Sequence, residues 1–122
     1  MFNAILSVFM SIKKLKGYVM VNGGSEWIDD ALDKKLQISK YLNGYTQEEV
    51  ISRILDYSGK GKFGTQVKED STYYKKMLRR ACDNKIEGFC LEYTKNEKIK
   101  EKIIQWCKSN KINYYISGDV RL

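Results

Sequence analysis

The sequence predicts one α+β domain: a helical core, a small β-sheet and a C-terminal strand–helix–strand. Three observations predict it. Apolar residues recur at helical spacing in several separate segments. Alternating apolar and polar residues mark two short stretches, 88–94 and 112–117, as strands. The length, 122 residues with 43% apolar, suits one compact core and is too apolar for a disordered chain.

The elements follow in order. Residues 1–19 form an N-terminal extension. Phe2, Ile5, Leu6, Phe9 and Ile12 line one face of a helix there, which suits packing or a membrane surface. The apolar run Ala4–Met10 is far shorter than the roughly 20 residues of a membrane span, so no stable membrane insertion is expected. Lys13, Lys14 and Lys16 follow that run, the reverse of a secretory signal. A different reading starts translation at Met20. The codons of Lys16-Gly17-Tyr18-Val19 can read AAAGGNTAYGTN, a bacterial ribosome-binding site at suitable spacing. On either reading, residues 20–122 are the single domain.

Tyr18–Asn22 reads as a strand ended by Gly23-Gly24. Ser25 reads as an N-cap, and Ile28, Ala31, Leu32, Leu36 and Leu42 mark a helix over 26–42. Thr46 and Glu49 form a capping box for a second helix over 46–58, with Val50, Ile51, Ile54 and Leu55 as its stripe. A glycine- and lysine-rich loop follows, with a strand near 63–67. Residues 71–84 read as a third helix whose core side is Tyr74, Met77, Leu78, Ala81 and Cys82. After strand 88–94, a second capping box at Thr94–Glu97 opens a helix carrying Ile99, Ile103, Trp106 and Cys107. The last strand follows, either as a parallel crossover or an antiparallel return.

Composition excludes several functions. With no histidine there are no His dyads, His metal ligands or His pH switches. Cys82, Cys90 and Cys107 are too few for a His-free zinc site, and no CxxC occurs. Cys82 and Cys107 fall on apolar helix faces and read as small core hydrophobes, and the odd count suits a chain of the reducing cytoplasm. No cofactor is expected. The net charge is +7, and residues 59–85 alone carry +5 while residues 23–58 carry −3. Such clustering is the electrostatic footprint of a nucleic-acid surface.

Gly59–Gly64 matches GxGxxG literally, but a predicted helix precedes it where a nucleotide fold needs a strand. Lys60 and Lys62 read instead as phosphate contacts. The segment Asp70–Phe89 carries more. It has a Ser71-Thr72 start, Tyr73 and Tyr74, a basic Leu78-Arg79-Arg80 core and an Ile86-Glu87-Gly88 exit. This pattern resembles the recognition helix of winged helix–turn–helix DNA-binding proteins and its turn into the next strand. The resemblance implies a winged-helix-like core, with helix 46–58 in support. It departs from the family in a long link between those helices and in a whole helix where a short wing hairpin belongs.

The resulting expectation is a small basic protein that binds double-stranded DNA with sequence preference and does no chemistry. It would be an accessory factor of a plasmid, phage or other mobile element, in replication, transfer or transcription. Lys75, Lys76 and Arg79 would approach the groove, and Ser71, Thr72 and Tyr73 the bases or backbone. Lys60, Lys62 and Lys68 would hold phosphates, and Arg80 would do either or cap the helix. Such binders often pair as homodimers on half-sites. Two alternatives stand beside it. One is a protein-binding inhibitor of phage type. The other is a nuclease: residues 88–116 resemble the end of the PD-(D/E)xK fold, with Glu92 and Asp83 as metal ligands and Thr94 where that family has lysine.

Overall fold

The computed structural model describes residues 2–13, 17–58 and 61–120. In chain order these form helix α1 (Phe2–Lys13), strand β1 (Met20–Asn22), helix α2 (Ser25–Asp33) and a 3-10 turn at Ile38–Lys40. Strands β2 (Gly44–Glu48), β3 (Ser52–Asp56) and β4 (Lys62–Thr65) come next. Helix α3 (Lys68–Asp83), β5 (Glu87–Tyr93), α4 (Glu97–Ser109) and β6 (Asn113–Ser117) complete the chain.

Four strands make one sheet in the order β1-β2-β5-β6, and every neighbouring pair is parallel. β3 and β4 form a separate antiparallel hairpin. The C-terminal strand–helix–strand is therefore a parallel crossover, one of the two returns the sequence allowed. Parallel strands need such crossovers, and here α2, α3 and α4 supply them. The three helices lie side by side on one face. α3 meets α2 through Arg80 and Asp29, and meets α4 through Lys75 and Trp106.

Alternation along the strands sets the core. Tyr45, Cys90 and Glu92 point to the helices and are buried; Ile28, Ala31, Met77, Leu78, Ala81, Ile103 and Cys107 meet them from below. The opposite face carries Met20, Thr46, Phe89, Leu91 and Tyr115, and no helix covers it among the described residues. That is unusual, because parallel sheets ordinarily have both faces covered.

α1 packs on the outside of α2. The Phe2 and Phe9 rings each lie 5.1 Å from Trp27, and the Trp27 indole N–H donates to the Phe2 carbonyl at 3.4 Å. No helix among the described residues is long and apolar enough to cross a membrane.

The mixed helix–strand class is as expected, but three elements differ, the mildest being α3, which begins at Lys68 and not at Ser71. The helix expected over 26–42 stops at Asp33, where Lys35 turns into the left-handed region. The helix expected over 46–58, which a winged-helix core requires, is absent. Thr46 to Glu48 belong to β2, Glu49 has a positive φ of 54°, and 52–56 is β3. The reason is a contact from far along the chain. Glu92 of β5 accepts from Val50 N–H at 2.5 Å, Ile51 N–H at 2.9 Å and Ser52 N–H at 2.8 Å. Those amides find a carboxylate in place of helical carbonyls. Glu49, expected as a capping acid, instead accepts from Ile54 N–H at 2.7 Å and fixes the turn into β3.

Candidate nucleic-acid interface

α3 is the longest helix among the described residues, 16 residues, and most of the basic residues singled out in the sequence lie on it. Its apolar side chains Met77, Leu78 and Ala81 are buried against the sheet. That burial fixes which side faces outward. At about 100° per residue, Lys68, Thr72, Lys75, Lys76 and Arg79 fall within one arc of roughly 100°. Lys68, Thr72, Lys76 and Arg79 are exposed, and Lys75 is half-buried. From Lys68 to Arg79 the stripe runs about 16 Å at 1.5 Å per residue. Glu69 and Asp83 flank its two ends.

Lys75 leans toward α4, its ammonium 5.5 Å from the centre of the Trp106 ring. Lys75, Lys102, Gln105, Trp106 and Ser109 line a groove between the two helices, together with Ile51. Sequence reasoning missed Lys102. Its signal was available: Lys98 and Lys102 are four apart on a helix, as Lys75 and Arg79 are. Among the described residues, neither Lys75, Lys76, Arg79 nor Lys102 forms an ion pair. Their charge is available to an anion.

The remaining residues divide. Lys62 is exposed on β4, and Lys60 lies outside the described residues. Ser71 is half-buried. Tyr73 points to the other side of α3, where its hydroxyl lies 3.4 Å from Ser25 Oγ and its ring 5.7 Å from that of Tyr74. Arg80 is engaged: its guanidinium pairs with Asp29 and, at 2.8 Å, with Asp33 of α2. It ties the basic helix to the acidic one, and the hydrogen bond to Asp33 raises its pKa further.

The residues of the nuclease reading do not converge. Asp83 is exposed at the end of α3, near the start of β5, while Glu92 is fully buried near the end of β5. Both Glu92 oxygens are occupied by backbone N–H groups. Burial pushes its pKa up, and those N–H groups pull against that shift. Among the described residues no cluster of three His, Cys, Asp or Glu side chains could hold a metal ion. Cys82 and Cys107 occupy the places expected of core hydrophobes, and Cys90 joins them from β5. Cys90 and Cys107 are buried and Cys82 is half-buried, and all three are free. The neighbouring Cys107 thiol and burial both raise the pKa of Cys90, and burial raises that of Cys82.

At the carboxyl edge of the sheet, Gly23 and Gly24 both have φ near 78°, which lets β1 turn directly into α2. Tyr93 donates to Glu48 at 2.5 Å, and Tyr57 to Glu49 at 3.2 Å. The polar side chains here satisfy one another.

No protein-family model matches this chain, and no curated protein matches its sequence. The functional reading therefore stands on the surface itself.

Proposed function

We propose that this chain binds double-stranded DNA without chemistry, through the outer faces of α3 and α4. The observation that carries the reading is the basic stripe Lys68–Lys75–Lys76–Arg79, which forms no ion pair among the described residues and is continued across the inter-helix groove by Lys102. Each such cation can displace a condensed counterion from a phosphate, and that release drives binding. α3 lies flat between α2 and α4, so only its outer arc is presented. Tyr73 and Arg80 are turned away from that arc. The arrangement favours contacts to the DNA backbone, which Thr72 within the arc can join, over base reading by half-buried Ser71 and by Tyr73.

The test is binding of the full chain and of Lys76→Ala/Arg79→Ala to a mixed-sequence duplex at several salt concentrations. The double variant is expected to flatten the dependence of log K on log salt by about two units. An unchanged slope would reduce this face to solvated surface.

One observation favours a second reading, a protein-binding module. The uncovered sheet face leaves Met20 51% and Tyr115 62% exposed, beside half-buried Phe89 and Leu91. The first partner to test is a second copy of the chain. Concentration-dependent self-association abolished by Leu91→Lys would support it; a monomer at all concentrations would count against that partner.

A further inference from the structure

Four non-glycine residues among those described have positive φ, and three are lysines: Lys35 at 58°, Lys85 at 66° and Lys111 at 56°. Each occupies the same place. Lys35 follows α2, Lys85 follows α3 and Lys111 follows α4, one residue beyond the cap. The backbone bonding is the same in all three. The lysine N–H donates to the carbonyl three residues back, at Leu32, Cys82 and Lys108. The next N–H, of Leu36, Ile86 or Ile112, donates five residues back to Ala31, Ala81 or Cys107. This is the Schellman ending, and its left-handed position is normally glycine.

A side chain there is strained where glycine would not be. One lysine in that place calls for no comment, since a cation suits a helix C-terminus. Three in one row do, because the topology sets them together. All the crossover helices return antiparallel to the strands, so their C-termini meet at the edge where β2, β5 and β6 begin. One groove is lined by Lys35, Lys40 and Lys85. The adjoining groove is lined by Lys85 and Lys111. Asp83 and Glu87 are the acids on this edge. Lys35, Lys85 and Lys111 are exposed, and among the described residues none forms an ion pair.

We infer that Lys35, Lys85 and Lys111 form a phosphate-binding row along the helix C-terminal edge, which receives the backbone of the duplex that the α3 stripe engages. The inference rests on the DNA-binding reading and extends its surface around the end of α3. Lys85 lies six residues beyond Arg79, so one backbone can pass from the stripe to the row. Adjacent packed helices are about 8–10 Å apart, so the three lysines span roughly 20 Å.

The strained backbone supplies a clean test. Glycine relieves the left-handed position, so the triple variant Lys35→Gly/Lys85→Gly/Lys111→Gly should melt at the wild-type temperature or above it. The Asn triple variant, also tolerant of positive φ, repeats the test if the glycine one folds poorly. The full chain is titrated with a labelled mixed-sequence duplex of about 20 base pairs, from roughly 50 to 200 mM salt. The salt slope is expected to fall by about three units, one for each phosphate that no longer meets a lysine. Arg53→Gln/Lys95→Gln removes two charges near the far edge and is expected to leave the slope nearly unchanged. A row that touches no phosphate would show a raised melting temperature with wild-type affinity and slope. If Lys76→Ala/Arg79→Ala still weakened binding in that case, the DNA reading would survive and the row would fall. A wild-type chain that binds no duplex at low salt would overturn both.

Discussion

Replacing Glu92 with glutamine perturbs the contact that decides the chain path from β2 to β3. The carboxylate is fully buried and accepts three backbone N–H groups from residues 50–52. Glutamine is nearly isosteric but has one acceptor oxygen. In its better orientation the amide oxygen keeps Ile51 and Ser52, and the amide nitrogen faces the N–H of Val50. One buried N–H then loses its acceptor, which costs about 1–3 kcal/mol. The neutral side chain also escapes the penalty of burying a charge, which offsets part of that loss. A net destabilisation of about 1–2 kcal/mol follows. Alanine would orphan all three N–H groups and leave a void, at about 4 kcal/mol or more. That is a large share of the roughly 5–15 kcal/mol that holds a domain folded. Urea unfolding followed by the fluorescence of Trp27 and Trp106 measures both, with the slope against denaturant checked for constancy. The pH dependence has a definite sign. Burial raises the Glu92 pKa in the folded chain, so the native state holds that proton more tightly than the unfolded one. Its contribution is fullest below the unfolded carboxyl pKa of about 4.3 and declines as pH rises through the folded value. The advantage of wild type over the glutamine variant should shrink across that window and then level off. A glutamine variant within about 0.5 kcal/mol of wild type at neutral pH would refute the reasoning.

Three further predictions separate neighbouring residues. Arg79→Ala should lower the DNA salt slope by about one unit and leave stability within about 0.5 kcal/mol, because Arg79 is exposed and unpaired. Arg80→Ala should do the reverse, losing about 1 kcal/mol from its partly exposed pairs with Asp29 and Asp33 while the slope holds; equal effects on both would erase the distinction. Gly88→Ala should destabilise by about 1–3 kcal/mol in thermal melts, since the added Cβ would lie 3.1 Å from Cys82 Sγ and 3.3 Å from Leu78 Cδ2, and a neutral result would mean that α3 can shift away from β5.

How far the fold was legible depended on the range of the forces that set it. The segment from 88 to 117 was legible because its signals are local. Phe89, Leu91 and Tyr93 alternate with Cys90 and Glu92, although Cys90 and Glu92 are the pair buried against the helices. α4 begins where expected, but its cap is Asn96, accepting from Ile99 N–H, and not Thr94; Ile112 closes the helix. α3 was legible from its apolar stripe, although it begins at Lys68 and not at Ser71. The segment 46–58 was not. Val50, Ile51, Ile54 and Leu55 fit a helical stripe, and Glu92, some forty residues away, together with Glu49 and the pairing with β4, converts them to a turn and strand. In β3 the burial alternates, with Ile54 inside and Arg53 and Leu55 outside. The winged-helix resemblance lay in α3 and its exit into β5, and residues 46–58 do not supply its supporting helix.

The basic site was legible in part for the same reason. Charge on α3 can be read from composition, but whether a cation is free cannot. Arg79 and Arg80 are adjacent and alike in sequence, yet only Arg80 meets Asp29 and Asp33. Lys35, Lys85 and Lys111 are scattered in sequence. They share an edge only because the strands are parallel and the helices all return to it.

The salt dependence of duplex binding by the full chain, with and without Mg²⁺, from roughly 50 to 200 mM salt, is the most direct test. A phosphate-binding surface without chemistry predicts retention that weakens steeply with salt, with no cleavage under either condition. Failure to bind at the lowest salt, or cleavage that requires Mg²⁺, would contradict it.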